Sequence, residues 1–402
     1  MTLKIGIGEV VITPPIGIAL VGYVPRDSHS IGINDDLHAR ALVFSDGTTH
    51  AAVVIHELIA LTPEIVVKVR ELVGKATPIP PENIILAAIH THSGPGPQML
   101  GIKHMKGFED VFDKYFDLLP YHISGLIYHC FNHLKEYNMS IATKGNVKTG
   151  HHRRIWDQGS NYVDTELTVL KVDDGKECKG CVYNIGTHPV KMNPDNFYIT
   201  ADFPGYASKA LKRIYGEKCV PIFFNGPCGN INPWNQPFTN PKSTFEECEQ
   251  LGTLLAGEVM AALGTAEEIT SELKVKSGEK RLTIPDDPED PDDIHVTIQA
   301  IVLGDVLSIV GVPGEMFSKF GRIIKDGVKT KYCIVQELLA NDILEEGRIS
   351  YIPTKEAMQA RDEDHPFGGY EVTAGVPNPE FGYIIADEAI KLVNDLLKAI
   401  EG

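Results

Sequence analysis

Four apolar, strand-like runs in this 402-residue chain stop in the same manner, at a polar residue able to bind a metal or move a proton, followed closely by glycine or proline. "NIILAAIHTHSGPG" ends in His90 and His92, "GCVYNIGTHPVKM" in His188 and "LSIVGVPGEMF" in Glu315. The fourth, "IFFNGPCGNINPWN", ends in a loop of amides and backbone N–H groups. Runs this apolar have to be buried, so their polar ends collect at sheet edges, where α/β folds bind ligands. Alternation along a strand would set His90 and His92 on one face at the first run's end. Gly94-Pro95-Gly96 then turns the chain and lets backbone approach whatever they face. Glu315 reads as a first-turn residue of a helix starting near 314, where a carboxylate is favoured. Each ending has an ordinary explanation on its own: a polar strand exit, a hydrogen-bonded core histidine, an acid at a helix start. Four together point to a site.

Between these runs the pattern alternates strand and helix. "LHARALVFSDG" and "THAAVVIHELIAL" read as strands joined by an Asp-Gly turn. "TPEIVVKVRELVGKA" reads as a helix capped by Thr62. Residues 109–137 carry an amphipathic helical pattern interrupted near Pro120, and "DFPGYASKALKRIYG" and 244–265 are further helices. "MSIATKGNV", "ELTVLKVDD" and "CVYNIGTHP" are strands, and "ELKVKSGEKRLTI" and "IHVTIQAIVLGDVLSIVGVPGE" are two long ones. A strand near 332–338 and a helix over 385–400 close the chain. The expected class is α/β, with mixed sheets flanked by helices and the site at strand ends.

Charge excludes some partners. With 37 basic against 54 acidic residues, net −17, the chain lacks the cationic excess that nucleic acid or an anionic membrane surface rewards. The start "MTLKIGIGEVVITPP" reads as a first strand and not as a leader, and no run reaches the ~18 apolar residues of a membrane span. A cytoplasmic protein is the expectation. Seven scattered cysteines do not suggest a disulfide framework, and Cys178 and Cys181 of "DDGKECKGC" read as part of a hairpin, with local pairing left open. "PDDPEDPDD", residues 285–293, reads as a solvated loop and not as a calcium site.

Two histidines, a carboxylate and one further ligand with an open position would make a catalytic zinc set suited to amide or ester hydrolysis. The order of "GIGEVVITPPIG", "HTHSGPG", "THPV", "ADFPGYAS", "GNINP", "VPGE" and "YIPT…GGYE" resembles the catalytic domain of the neutral/alkaline (non-lysosomal) ceramidase family. The resemblance implies one zinc held by His90, His188, Glu315 and Tyr351, with His92 beside it as proton shuttle. It also implies Tyr370 as an oxyanion donor and Arg153 of "HHRRI" as an active-site arginine. Asn225 and Gly229 of the amide loop and Asp202 of "ADFPGYAS" are candidate substrate-binding residues.

The chain departs from the family's pattern at "GNINP", where Asn230 and Asn232 replace the Asp and Ser of a Gly-Asp-x-Ser-Pro loop. An amide cannot attack a carbonyl, so zinc-activated water becomes the expected nucleophile, and Asn232 is a candidate catalytic residue that orients substrate or donates to an oxyanion, or else shapes a turn. The acidic stretch "EAMQARDEDHP" between Tyr351 and Tyr370 looks inserted. The family's secreted members carry a leader and a C-terminal accessory domain. The expectation here is one ceramidase-like catalytic domain over 1–402, with two tightly packed lobes as the alternative arrangement, without either addition. The leading expectation is a zinc-dependent amidohydrolase acting on a small or polar N-acyl substrate, linear or cyclic. A cysteine hydrolase using Cys228 and a non-catalytic metal- or ligand-binding protein are the alternatives. The oligomeric state, a homo-oligomer included, stays open.

Overall fold

Apolar β-branched runs separated by Asp-Gly, Gly-Pro and Pro-rich punctuation build three sheets of four or five strands. The computed structural model describes residues 2–401 apart from 24, 25, 27, 97–106, 108, 155–161, 235–242, 271, 287–292, 343–349 and 361–368. Lys4–Val11, His38–Ser45, His50–His56 and Ile84–Ala88 form the first sheet in that order, antiparallel until the last pair, which is parallel. The second sets Val220–Asn225 parallel to Cys178–Ile185, then runs antiparallel through Leu167–Asp173, Asn138–Lys144 and Glu267–Ile269. The third joins Val275–Pro285, Asp293–Leu303, Leu307–Gly311 and Tyr332–Gln336, again with only its last pair parallel. The α/β class with mixed sheets flanked by helices is therefore the one found.

Local chemistry accounts for the connections. Asp46 Oδ1 accepts the N–H groups of Thr48 (2.8 Å) and Thr49 (2.7 Å) while Gly47 takes φ 88°, which closes the first Asp-Gly hairpin. Asp174 does the same for Lys176 (3.0 Å) and Glu177 (2.8 Å). That confirms the hairpin around "DDGKECKGC". A bulge at Lys179 sets Cys178 and Cys181 on the same face, opposite Asp173 and Lys171, and the Cys178 thiol meets Cys219, sulfur to sulfur at 3.4 Å. All seven cysteines are free and buried. Thr62 does cap the helix Pro63–Ala76 in position, though its side chain makes no cap bond, whereas Thr244 and Glu247 form a full capping box on Phe245–Leu263.

Three expectations are corrected. The helix Glu109–Asn132 continues through Pro120. Leu119, Ile123, Leu126, Ile127 and Cys130 bury one face of it, and that packing outweighs a proline penalty of ~3 kcal/mol. "IHVTIQAIVLGDVLSIVG" is two strands, because Gly304 at φ 55° and Asp305 turn the chain back. The helix expected from 314 begins at Ser318. Most of "PDDPEDPDD" and the end of "EAMQARDEDHP" lie outside the described residues.

Two apolar clusters hold the fold. One fills the space between the first and second sheets and their helices, with Phe44, Tyr183, Phe203 and Phe224 fully buried. The other packs the third sheet against Ser318–Gly327 and Phe381–Glu401, centred on Phe320 and Phe381. Burial of each such side chain contributes roughly 1.5–3 kcal/mol relative to exposure. Met316 and Tyr351 belong to the second cluster, while Ile89, beside His90, belongs to the first. The polar strand ends meet where the two clusters adjoin.

Candidate metal and active site

The first two histidines arrive by a turn and not by strand alternation. Regular pairing stops at Ala88, although Ile89 N–H still donates to His56 O and His90 N–H to Leu58 O, both at 2.9 Å. His90 then adopts φ 74°, a left-handed conformation costing of order 1–3 kcal/mol at a non-glycine residue. This turn swings His90 and His92 into one cup, with ring centroids 4.8 Å apart. His188, beyond Cys178–Ile185, joins from the second sheet at 5.0 Å from His90 and 5.9 Å from His92. The ligand-capable nitrogens of these three buried rings lie within 4.8 Å of one another.

Glu315 enters from the third sheet. It is not a helix-start residue; it opens the two-residue strand Glu315–Met316, its N–H donating to Ser350 O at 2.9 Å. That strand pairs in parallel with Tyr351–Ile352, with Glu315 opposite Tyr351. Register partners present their side chains to the same face, so the strand pair itself brings Tyr351 beside Glu315.

Hydrogen bonds set the direction of the rings. His90 Nδ1 lies 3.0 Å from Ile59 O and His188 Nδ1 lies 2.8 Å from Cys228 O. A carbonyl only accepts, so both Nδ1 atoms carry hydrogen and both Nε2 atoms face inward. There they converge on Glu315 Oε2, at 3.3 Å from His90 and 3.0 Å from His188. Burial opposes charge on His90, but the Glu315 carboxylate outweighs it and the net shift is upward. Burial, the Arg153 guanidinium and His90 together hold His188 down, to about 4. Burial opposes charge on Glu315 as well, yet the two imidazoles carry it well below the usual carboxylate range.

His92 differs from its neighbours. Both ring nitrogens are buried without a hydrogen-bond partner among the described residues. Burial, and then His90 and His188, keep the ring neutral. Tyr23 packs edge-on against it at 4.8 Å, and Gly22 (φ 107°) leaves room for it, since a Cβ there would lie 2.5 Å from His92 Cγ. The buried Arg26 donates to the carbonyls of His92, Pro194 and Asn193.

On the far side of the cup Arg153 Nη1 donates to Tyr370 Oη (2.6 Å), Glu371 Oε1 (3.0 Å) and Tyr351 Oη (3.4 Å). The Tyr351 and Tyr370 hydroxyls are 3.2 Å apart. Arg154 holds Glu371 by a two-pronged contact, Nε to Oε2 at 2.9 Å and Nη2 to Oε1 at 2.6 Å. Tyr370 is 54% exposed, so its ring stands between the cup and solvent while its hydroxyl points in.

The structure thus gathers His90, His92, His188, Glu315, Tyr351, Arg153 and Tyr370. The other candidates sit in the scaffold. Asp202, fully buried at φ 59°, accepts the N–H groups of Lys191, Met192 and Phe203. Asn225 ties Thr187 N–H to Ile89 O. Gly229 presses its Cα against the backbone of Glu315. Asn232 lies on the ribbon Ile231–Pro233, opposite His151 and half-buried. The bonds into the site come instead from Asn230, whose carbonyl accepts Arg153 N–H and whose Oδ1 accepts Ser318 N–H. Cys228 is no activated nucleophile: its buried thiol donates to Glu337 Oε1 at 2.8 Å, and burial and that carboxylate push it well above the ordinary thiol range.

Sequence reasoning missed Tyr23, Arg26, Glu371, Arg154 and Glu337. Glu371 stands inside the quoted "GGYE" and Arg154 inside "HHRRI", so proximity to motif residues was an available signal. Glu337, inside "YCIVQELL", offered none.

The fold and the site together define an α/β protein with a buried histidine–carboxylate cup where three sheets meet. Residues 3–250 match the family described as neutral/alkaline non-lysosomal ceramidase, N-terminal, and the chain belongs to that family. It is 24% identical over 221 residues to a neutral ceramidase of Mycobacterium tuberculosis, covering 49% of this chain and 33% of that protein. It is 25% identical over 301 residues to the neutral ceramidase of Pseudomonas aeruginosa, covering 67% and 43%. The chain therefore matches less than half the length of these curated relatives. The crystal structure of the P. aeruginosa neutral ceramidase superposes with a TM-score of 0.77 at 18% identity, over 98% of this chain and 75% of that one. A ceramidase complexed with C2 gives 0.75 at 18% identity, over 98% and 76%. The fold is shared. Among the described residues, no helix is long and apolar enough to cross a membrane.

Proposed function

We propose that the chain is a zinc-dependent hydrolase of an amide (N-acyl) bond, with a small or polar substrate. One observation carries the metal. Two Nε2 lone pairs, oriented by Nδ1–H bonds to carbonyls, face a single carboxylate oxygen at 3.0 and 3.3 Å. Neutral rings so placed are repelled by the carboxylate unless a cation or proton lies between them. Two imidazoles and a carboxylate, with the register-paired Tyr351 alongside, are a fitting donor set for zinc. When bound, zinc supplies a Lewis acid for the carbonyl and acidifies water.

The chain's own groups do the rest. His92 has two unpartnered ring nitrogens in the cup, so it takes a proton from the attacking water and returns it to the leaving amine. Tyr370 Oη already accepts an Arg153 N–H, which leaves its own hydrogen to donate to the developing oxyanion. Glu371 and Arg154 hold Arg153 and the Tyr370 segment in place. The charged and hydroxylic groups on this side support a polar group next to the scissile bond.

Metal content by mass spectrometry tests the reading, together with turnover of N-acyl amides, a ceramide among them. About one zinc per chain is expected in the parent and almost none in His90→Ala/Glu315→Ala. His92→Ala should keep zinc and lose turnover. A parent that takes up no zinc after incubation would overturn the mechanism. Zinc without turnover of any amide would favour a binding protein.

A further inference from the structure

Glu337 is a buried acid beside the cup that the proposed reaction does not use. It follows Tyr332–Gln336 of the third sheet and is fully buried. Its backbone N–H donates to Asn225 O (3.0 Å), at the start of the amide loop. Its carboxyl group reaches further into that loop, taking Cys228 N–H on Oε2 (3.0 Å) and the Cys228 thiol on Oε1 (2.8 Å). The Cys228 carbonyl is in turn the acceptor that orients His188 Nδ1.

The residues around Glu337 widen its role. Gln336 O accepts Val312 N–H and Leu338 N–H donates to Gly314 O, so the segment is tied to the turn that delivers Glu315. Gln336 Nε2 donates to Ala88 O, two residues before His90. Glu337 thus stands where the segments behind three cup residues meet, and it sends a side chain from the Glu315 side into the loop that aims His188.

We propose that Glu337 is a positioning residue for the metal centre, acting through Cys228 to hold the His188 imidazole in register with Glu315. This rests on the zinc reading above. Glu337 touches neither substrate nor metal. Losing it would free the amide loop at Cys228, and the Cys228 carbonyl and His188 ring would drift together. Groups that orient metal ligands in this way are typically worth 10–100-fold in metal affinity.

Zinc affinity of the full chain, measured by competition with a chromophoric chelator, tests this on the parent, Glu337→Ala, Glu337→Asp and Glu337→Gln. The visible spectrum of each cobalt(II)-loaded protein is recorded beside it. Glu337→Ala should loosen zinc by about 10–100-fold and change the cobalt band. Glu337→Gln should stay close to the parent, because its carbonyl still accepts Cys228 N–H and its amide can donate to the sulfur. Should Glu337→Ala not fold, Glu337→Asp carries the comparison: its shorter side chain cannot span both contacts and should also weaken zinc. Parent-like affinity and spectrum in Ala or Asp would overturn the proposal, as would an equal loss in Gln. A parent that binds no zinc would instead overturn the zinc reading beneath it.

Discussion

Gly229→Ala should separate the two halves of the cup. A Cβ at 229 would lie 2.3 Å from Glu315 O, 3.0 Å from Glu315 C and 3.2 Å from Met316 O. Carbon and oxygen need about 3.3 Å, so the overlap is roughly 1 Å, and every atom met is backbone. Neither side can yield cheaply. Glu315–Met316 is pinned by its pairing with Tyr351–Ile352, and the loop by Gly229 N–H to Met316 O (2.8 Å) and Cys228 N–H to Glu337. Overpacking of this kind costs about 1–3 kcal/mol, and with no side chain to rotate away the upper end is expected. A shift of even half the overlap exceeds the ±0.2 Å that metal–ligand distances tolerate, so zinc should be lost along with stability. Urea unfolding and metal analysis read both effects. Gly257→Ala is the control: it lies on the exposed side of Phe245–Leu263 with nothing within 4 Å of a new Cβ, and should gain about 0.5–1 kcal/mol. If Gly229→Ala kept parent stability and full zinc, the claim that this contact sets the cup would fall.

Gly22→Ala should keep zinc but lose most turnover, because a Cβ at φ 107° would push into the His92 ring and no ligand; zinc loss equal to that of His90→Ala would contradict this. Glu57 is buried with Arg40 and His38. Burial raises its pKa, but those partners more than offset this and leave it at about 2 against an ordinary 4.5. A depressed acid stabilises fully above the unfolded value and loses that as pH falls, so on the order of 3 kcal/mol should disappear between pH 4.5 and 2. Glu57→Gln should lower stability at pH 7 and flatten that acid limb in urea titrations. Iodoacetamide should leave native hydrolysis intact, since all seven thiols are buried and Cys228 is held protonated; inactivation matched to alkylation of Cys228 would revive the cysteine mechanism.

The residues proposed as ligands were easier to see in the sequence than the geometry that brings them together. His90, His188 and Glu315 each follow an apolar run, and burial makes such endings visible. Their local conformations were not visible. A left-handed His90 cannot be read from a strand pattern, and a two-residue strand at Glu315 looks like a helix start because Ser318–Gly327 follows so closely. Tyr351 came only through resemblance, since what sets it beside Glu315 is a parallel pairing 36 positions on in the chain. Asp202, Asn225 and Gly229 show the converse. Polar and glycine residues in a motif can serve the backbone around a site as readily as a ligand.

Each of the three larger sheets contains a single parallel pair, and each pair ends at the cup. Parallel strands send both carboxyl-end loops to one edge, whereas an antiparallel pair splits them. His50–His56 and Ile84–Ala88 lead to Ile59 and His90, a carbonyl and the ring it orients. Cys178–Ile185 and Val220–Asn225 lead to His188 and Cys228, again a ring and its orienting carbonyl. Leu307–Gly311 and Tyr332–Gln336 lead to Glu315 and to Glu337, which braces the loop beside it. Each parallel pair therefore contributes one metal-capable side chain and one group that positions the cup, and the antiparallel strands serve to hold those pairs. On this logic, changes that loosen the outer strands should cost stability before they cost metal, whereas changes in the six loops should cost metal first.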